Sequence, residues 1–399
     1  MDQIEELLTR GIANIIPGID ELRKVFKSGR KLNIYLGIDP TSTQIHLGHA
    51  VPLRKLQKMS EMGHKVTFLI GDFTALIGDT SDKESERPVL TSDEINKNFQ
   101  TYKQQAEKIL DFSKVSVKHN SEWLGELKFG DIIRLTQNFS LGDFISRELI
   151  RKRIDAHTKI GLHEILYPVM QGYDSYHMDT DLQLGGTDQT FNMQAGRTLV
   201  KNLRNKQSYI MSNEFLEGTD GRKMSKTWNN AIWLTDLPQD MYGKIMSLKD
   251  ELIIQYFLLG TNVSLSEISQ IEERLKSGEN PMILKKELAN VIVSELHSDH
   301  DAEDAAAHFE SVFQKNQTPA DIPIYEYPKF GQLTSINIID LLEGTKMVTS
   351  RSEAKRQVEQ KAVTVNGSII ETINSNLPTN QSLTIQIGKK NFLKVKEKQ

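Results

Sequence analysis

LNIYLGIDPTSTQIHLGHAVPLRKLQKMSEMGHKVTFLIGD, residues 32–72, holds the pattern on which the fold turns. Leu32–Asp39 is a short apolar run that stops at Pro40. Gly48–Gly63 then sets Val51, Leu53, Leu56 and Met59 at helical spacing, and Lys65–Asp72 is rich in β-formers again. Strand, helix and strand in this order make the repeating unit of a parallel sheet covered by helices. Ligands of such sheets lie beyond the carboxyl ends of the strands. IHLGHA, residues 45–50, falls there, after the first strand and at the start of the helix. Its two histidines, three apart, share a helix face, a spacing that also suits a metal pair or a solvated surface.

The alternation continues outward. Ser92–Leu110 is expected to be a helix opened by Ser92, Asp93 and Glu94, and Ser116–Leu124 and Asp181–Gly185 are further strand candidates. From about Pro238 to Gln314 the pattern turns helical, over Met241–Leu248, Ser264–Leu275, Met282–Leu296 and Ala302–Phe313. A proline-rich stretch, TPADIPIYEYPKFG (318–331), separates this from a last segment, 334–399. There a helix precedes strands, and Gly367 after Val363–Asn366 marks a turn.

Composition narrows the class. With 38% apolar and 26% charged residues in 399, the chain reads as globular. It has no cysteine, which removes disulfides and thiolate metal sites. The start, MDQIEELLTR, lacks the basic and apolar order of a signal peptide, and no apolar run nears the ~18 residues of a membrane span. A cytoplasmic protein is the expectation. The net charge of −4 is uneven: ten Lys/Arg and four Asp/Glu after position 345 give +6 there and −10 elsewhere. A small basic module on an acidic body points to nucleic acid, with a merely lysine-rich tail as the alternative.

Neither GxxxxGK[ST] nor GxGxxG occurs, so a phosphate site needs other donors. His46 and His49 would add imidazoles to the free N–H groups of a helix N-terminus, and Gly48 leaves room for something flat. GRKMSKTWNN, residues 221–230, offers Lys223 and Lys226 as mobile cations about 175 residues downstream. Alone, that loop would be solvated.

HLGH with KMSKT resembles the paired motifs of class I aminoacyl-tRNA synthetases. YLGIDPTSTQIHLGHAVPL (35–53), GDFTALIGDTSDKESER (71–87), YPVMQGYD (167–174), LQLGGTDQ (182–189) and SRSEAKRQVEQKAVTVNG (350–367) narrow the resemblance to bacterial-type tyrosyl-tRNA synthetases. It implies an α/β fold in parts: a Rossmann-like parallel-sheet catalytic domain (1–235), an α-helical anticodon-binding domain (236–320), a linker (321–333) and a small α+β RNA-binding domain (334–399). It implies activation of L-tyrosine by ATP, with Mg²⁺ carried on the ATP and no protein-ligated metal. Transfer to tRNA(Tyr) follows, in a homodimer.

The resemblance also assigns residues. His46 and His49 would meet the phosphates, Gly48 the adenine, and Lys223, Lys226 and Thr227 the pyrophosphate. Tyr167, Gln171 and Asp174, at i, i+4 and i+7, share a helix face that by itself fits a polar stripe facing water. By resemblance, Tyr167, Gln171 and Asp79 would bind the substrate ammonium, and Tyr35 and Asp174 its phenol. Gly186 and Asp188 would contact the ribose, Gln189 the carboxylate, and Asp39 and Thr41 would lie near substrate and nucleotide, with Gln183 in support. Arg351, Lys355 and Arg356 would bind RNA. Three positions depart from the family: Thr227 replaces serine, Leu36 a polar group near the ribose, and Thr190 an aromatic residue. The run Arg147, Arg151, Lys152, Arg153 fits an acceptor-stem contact or a solvated helix face. Two other readings are a tryptophanyl-tRNA synthetase, against which Tyr35 with Asp174 and the basic tail weigh, and a catalytically silent RNA-binding descendant, against which the intact His46, His49, Lys223 and Lys226 weigh.

Overall fold

The structure, a computed structural model, describes residues 2–79, 91–311, 322–327, 334–388 and 391–397. Residues 80–87 of the second family block, and parts of the proline-rich stretch, lie outside them. The chain divides into two compact units, Met1–Ala302 and Glu303–Gln399.

The first unit is built on a six-stranded sheet: β1 (Ile12–Ile16), β2 (Asn33–Ile38), β3 (Lys65–Ile70), β4 (Val115–His119), β5 (Leu182–Gly186) and β6 (Tyr209–Asn213). Their order is β1-β6-β5-β2-β3-β4, parallel except for β1 against β6. The chain runs from β2 to β3 and β4 on one side, then returns to place β5 and β6 on the other. The reversal falls between β2 and β5, where Tyr35 pairs with Gln183 and Leu36 with Leu184. Such a switch point opens a crevice at the strand ends.

The helix Leu47–Glu61 buries Leu47, Leu53, Leu56 and Met59, the apolar stripe seen in the sequence. The helix Ser92–Ala106 is capped by Thr91, whose hydroxyl accepts from the Glu94 N–H while the Glu94 carboxylate accepts from the Thr91 N–H. The expected strand over 116–124 ends at His119, and Ser121–Leu124 is a helical turn. β1 was not expected, nor was the helix Ile253–Gly260. Its sequence, IIQYFLLG, is apolar on nearly every side and buried accordingly, so no period marks it. The other helices follow the expected run: Pro238–Met246, Leu265–Lys276, Pro281–Leu296 and Asp299–Phe309.

In the second unit, β7 (Ile324–Tyr327), β8 (Ser335–Asn337), β9 (Val363–Val365), β10 (Ser368–Ile369), β11 (Asn376–Pro378), β12 (Leu383–Ile387) and β13 (Asn391–Glu397) form sheets ordered β10-β9-β12-β13-β7 and β11-β8. The helices Ile338–Gly344 and Arg351–Glu359 bury Leu341, Leu342, Ala354 and Val358 against Val363, Ile385 and Val395. β7 lies in the stretch expected as linker; it pairs in parallel with β13.

The basic run at 147–153 is not one solvated face. Arg153 is 4% exposed and meets Glu164, 1% exposed, through Nη1 to Oε2 at 2.6 Å and Nη2 to Oε1 at 3.1 Å. The same carboxylate accepts the Gly161 N–H at 2.8 Å, so it caps the helix Leu162–His177 as well. Glu164→Ala would strand a buried guanidinium and should cost about 3–5 kcal/mol in urea unfolding. Replacing Arg153 and Glu164 together by Met and Leu should recover most of it. A single-variant loss below about 1 kcal/mol, as for surface pairs, would contradict this account.

Candidate active site

At the switch point lies a cavity of about 380 Å³. Of the residues expected from sequence, Tyr35, Asp39, Thr41, His46, Gly48 and His49 line it from β2 and the helix Leu47–Glu61. Asp79, Tyr167, Gln171, Asp174, Gly186, Asp188, Gln189 and Lys223 close the other walls. Lys226 and Thr227 are exposed and do not line it.

One end of the cavity is a buried polar cluster. Asp174 accepts from Trp123 Nε1 at 2.7 Å and from Asn120 Nδ2 at 3.2 Å. Burial raises its carboxyl to about 8, and those two donors work against the rise. The Tyr35 hydroxyl lies 2.8 Å from Ser175 Oγ and donates to Gln183 Oε1 at 3.2 Å; burial and the nearby Asp174 push it well above the usual phenol range. Trp123 is stacked on His177 at 4.5 Å between centroids. Asn120 and Trp123 were missed in the sequence because they follow β4 directly, in a stretch read as strand. Their signal is position, at the carboxyl end of a parallel strand.

The middle is lined by acceptors. Tyr167 donates to Asp39 Oδ2 at 2.9 Å, and Thr74 to Asp39 Oδ1 at 2.8 Å. A Cβ on Gly71 would sit 2.0 Å from Asp39 Oδ1, so only glycine fits there. Gln189 Nε2 donates to Asp79 Oδ2 at 2.7 Å, and Gln171 Oε1 is buried without a partner. Gln189 is therefore engaged by Asp79 and, through Oε1, by Asn192 Nδ2 at 3.1 Å. Leu36 supplies an apolar wall. Thr190 Oγ1 donates to the Thr187 carbonyl at 2.8 Å, in the 3-10 turn that leads into its helix.

The other end is built by the histidines. His46 is the N-cap of the helix Leu47–Glu61, and its N–H donates to His49 Nδ1 at 3.3 Å. That bond makes Nδ1 the acceptor, so neutral His49 carries its proton on Nε2. Burial, with help from the Lys223 charge, drives His46 down to about 2 and His49 to about 4. Both are neutral donors at pH 7. A Cβ on Gly48 would sit 3.0 Å from the His46 ring.

The lysine loop is tied to this end by backbone. Leu47 N–H donates to the Ile232 carbonyl at 2.8 Å and Leu234 N–H to the Ile45 carbonyl at 3.1 Å. Asn230, 2% exposed, holds the loop from inside: Nδ2 donates to Asp220 Oδ1 at 2.8 Å and to the Lys223 carbonyl at 3.2 Å, and Oδ1 accepts from Ser225 N–H at 2.8 Å. The Lys223 ammonium lies 5.5 Å from the Phe215 ring centroid. In the second unit, Lys355 and Arg356 are exposed on the helix Arg351–Glu359, while Arg351 is held by Asp340 and Glu343.

Two family models match the chain. One, described as tRNA synthetases class I (W and Y), covers residues 27–314, and the other, a tyrosine–tRNA ligase C-terminal domain, covers 314–395. The chain is similar to the tyrosine–tRNA ligase of Carboxydothermus hydrogenoformans, 40% identical over 98% of this chain and 97% of that protein. It is also similar to tyrosine–tRNA ligase 2 of Vibrio vulnificus, at 41% over 97% of each. Among solved structures, the C-terminally truncated mitochondrial tyrosyl-tRNA synthetase of Aspergillus nidulans shares the fold with a TM-score of 0.66 at 22% identity, over 78% of this chain and 94% of that one.

The competition at Asp174 can be read directly. Its carboxyl ¹³C resonance, identified by its loss in Asp174→Asn, should titrate near pH 8 in the unliganded protein, with the acid form present below that. A midpoint below about 5 would mean that the Trp123 and Asn120 donors outweigh burial.

Proposed function

The chain belongs to the tyrosyl-tRNA synthetases of class I, and from that premise we propose how its own residues carry the reaction. The protein is a tyrosine–tRNA ligase: it joins L-tyrosine to ATP as tyrosyl-adenylate, releasing pyrophosphate, and passes the tyrosyl group to the terminal adenosine of tRNA(Tyr) with release of AMP. The observation that carries the assignment of residues is one cavity with a buried polar end around Asp174 and an end lined by His46, His49 and Lys223.

In the proposed mechanism the tyrosine phenol sits against Asp174 and Tyr35. Its hydroxyl donates to the Asp174 carboxylate, a third donor beside Trp123 and Asn120 that favours the ionised form. Its ammonium lies among Tyr167, Asp79 and Gln171, whose partnerless buried Oε1 supports this. Its carboxylate, oriented by Gln189, attacks the α-phosphorus; the new C–O–P bond forms as the bond to pyrophosphate breaks. His46 and His49 donate as neutral imidazoles to the phosphoryl oxygens while charge builds there. Donors fixed before reaction reorganise little, and their burial strengthens them. Lys223, and Lys226 once the loop swings inward, neutralise the departing pyrophosphate with Thr227. Gly48 packs on the adenine, Gly186 and Asp188 hold the ribose, and Asp39 and Thr41 bridge substrate and nucleotide. Mg²⁺ enters on ATP as part of the substrate.

The remaining proposals concern assembly. The catalytic part is assigned to 1–235, the anticodon-binding helices to 236–320 and the RNA-binding module to 334–399, where Arg351, Lys355 and Arg356 meet RNA. Among the described residues no helix is long and apolar enough to cross a membrane, and the cytoplasm is the proposed location. A homodimer is proposed on the face of residues 129–162. Phe129 is 77%, Leu141 64% and Leu162 85% exposed there, large apolar groups that a second copy would cover.

ATP–pyrophosphate exchange without tRNA should proceed with tyrosine and not with tryptophan or phenylalanine. His49→Ala should slow it by about 10²-fold or more at little cost in tyrosine affinity. Asp174→Ala should instead weaken tyrosine binding. Exchange with tryptophan, or tyrosine affinity collapsing in His49→Ala, would overturn the assignments, and a folded protein with no exchange would be a silent RNA binder. Phe129→Asp with Leu141→Lys should convert a dimer to monomer in sedimentation; an already monomeric wild type would remove that proposal.

A further inference from the structure

A second cavity, of about 330 Å³, lies along the helix Leu47–Glu61 on residues the reaction does not use. Five cationic side chains and three carboxylates line it. The carboxylates are already engaged. Glu6 accepts from Arg10 at 3.1 Å, Glu61 from Gln57 at 3.0 Å, and Glu295 from Arg54 and from the Asn262 N–H at 2.8 Å. Arg10 spends its guanidinium on carbonyls at the end of the helix Ile253–Gly260, including Leu258 at 2.8 Å and Thr261 at 2.7 Å.

Arg54 and Lys55 are different. Arg54 is nine-tenths buried and pairs with Glu295 through Nη1 alone; its Nε and Nη2 are buried with no partner. Lys55, 7% exposed, donates to the Leu7 carbonyl at 3.2 Å, which uses one of its three N–H bonds. Burial and the nearby Arg10 charge hold its ammonium down to about 7, a sign that the acids present do not compensate it. Lys58, one turn on, stands at the rim, 44% exposed and 3.9 Å from Glu61. A brace between helices would need only the Glu295 and Leu7 bonds. Buried donors left over on two neighbouring cations are costly unless an acceptor of opposite charge completes them.

We propose that this cavity is a binding site for a small free oxyanion of the phosphate class, held by Arg54, Lys55 and Lys58. A tetrahedral oxyanion has acceptors enough for the spare guanidinium and ammonium donors together, after a small shift of the Arg54 head. The remaining volume leaves room for a modest organic group on the phosphate.

The test is titration of the full-length protein with inorganic phosphate, followed by ³¹P line broadening and by calorimetry. Saturable binding is expected in the wild type and, undiminished, in His49→Ala. Lys55→Gln and the rim variant Lys58→Gln should each weaken it about tenfold or more, the worth of one charge-assisted hydrogen bond. Lys58→Gln keeps the test open should Lys55→Gln fail to fold. No saturation up to about 50 mM would overturn the proposal. So would binding that His49→Ala abolishes and the lysine variants leave alone, because the phosphate would then be in the active site. A loss of RNA affinity in the lysine variants without phosphate binding would mark a polyanion surface and overturn it equally.

Discussion

Two backbone hydrogen bonds hold the active site together: Leu47 N–H to the Ile232 carbonyl and Leu234 N–H to the Ile45 carbonyl. Residues far apart in sequence meet there as a short antiparallel bridge, with His46 opposite Trp233. The N-terminus of the helix Leu47–Glu61 can present His46 and His49 to the cavity only while this seam fixes its entry. The same seam fixes the exit of the lysine loop, which leaves Asn230 for the buried run Ala231, Ile232 and Leu234. Loop and helix therefore share one anchor. The loop tip, with Lys226 and Thr227, is exposed, while its base is registered to the histidines.

Within that frame, desolvation sets the charge of each group before any substrate arrives. The histidines are held neutral because burial and Lys223 both penalise their cations. Asp174 is pulled two ways, by burial toward the acid and by Trp123 and Asn120 toward the carboxylate. In the proposed mechanism a substrate hydroxyl would tip that balance at one end of the cavity, and phosphate charge would be met at the other by donors that need no proton transfer. On that proposal the cavity would separate recognition from charge stabilisation.

The sequence carried most of this because the informative residues sit where parallel α/β sheets put them. β2, the helix after it and β3 were legible from apolar runs of the right length; spacing put Tyr167, Gln171 and Asp174 on one helix face, and only the family resemblance turned that face toward a pocket. Three kinds of feature were not legible. β1 is an antiparallel edge strand whose sequence, IANII, carries no distinguishing period. Ile253–Gly260 is apolar all round, so its helical period is invisible. Arg153 looks like part of a surface run and is instead paired with a glutamate eleven positions away, which spacing along one helix cannot reveal. Asn120 and Trp123 belong with these: their roles come from the crossing of two segments, not from either alone.

The helix Leu47–Glu61 raises a last point of construction. Its first turn brings Gly48 and His49 to the first cavity, and its third and fourth turns carry Arg54, Lys55 and Lys58 to the second. At 1.5 Å per residue, roughly 9 Å of axis separates His49 from Lys55. Pro52 lies between them and has no N–H to give to the helical ladder. Arg54 also grips Glu295 on the helix Pro281–Leu296, and Lys55 grips the end of Gln3–Thr9. The second cavity therefore lies where these segments meet the middle of the helix, while its start is fixed by the seam with Ile232 and Leu234. The two cavities thus share one helix, whose first turn lines the first and whose later turns line the second.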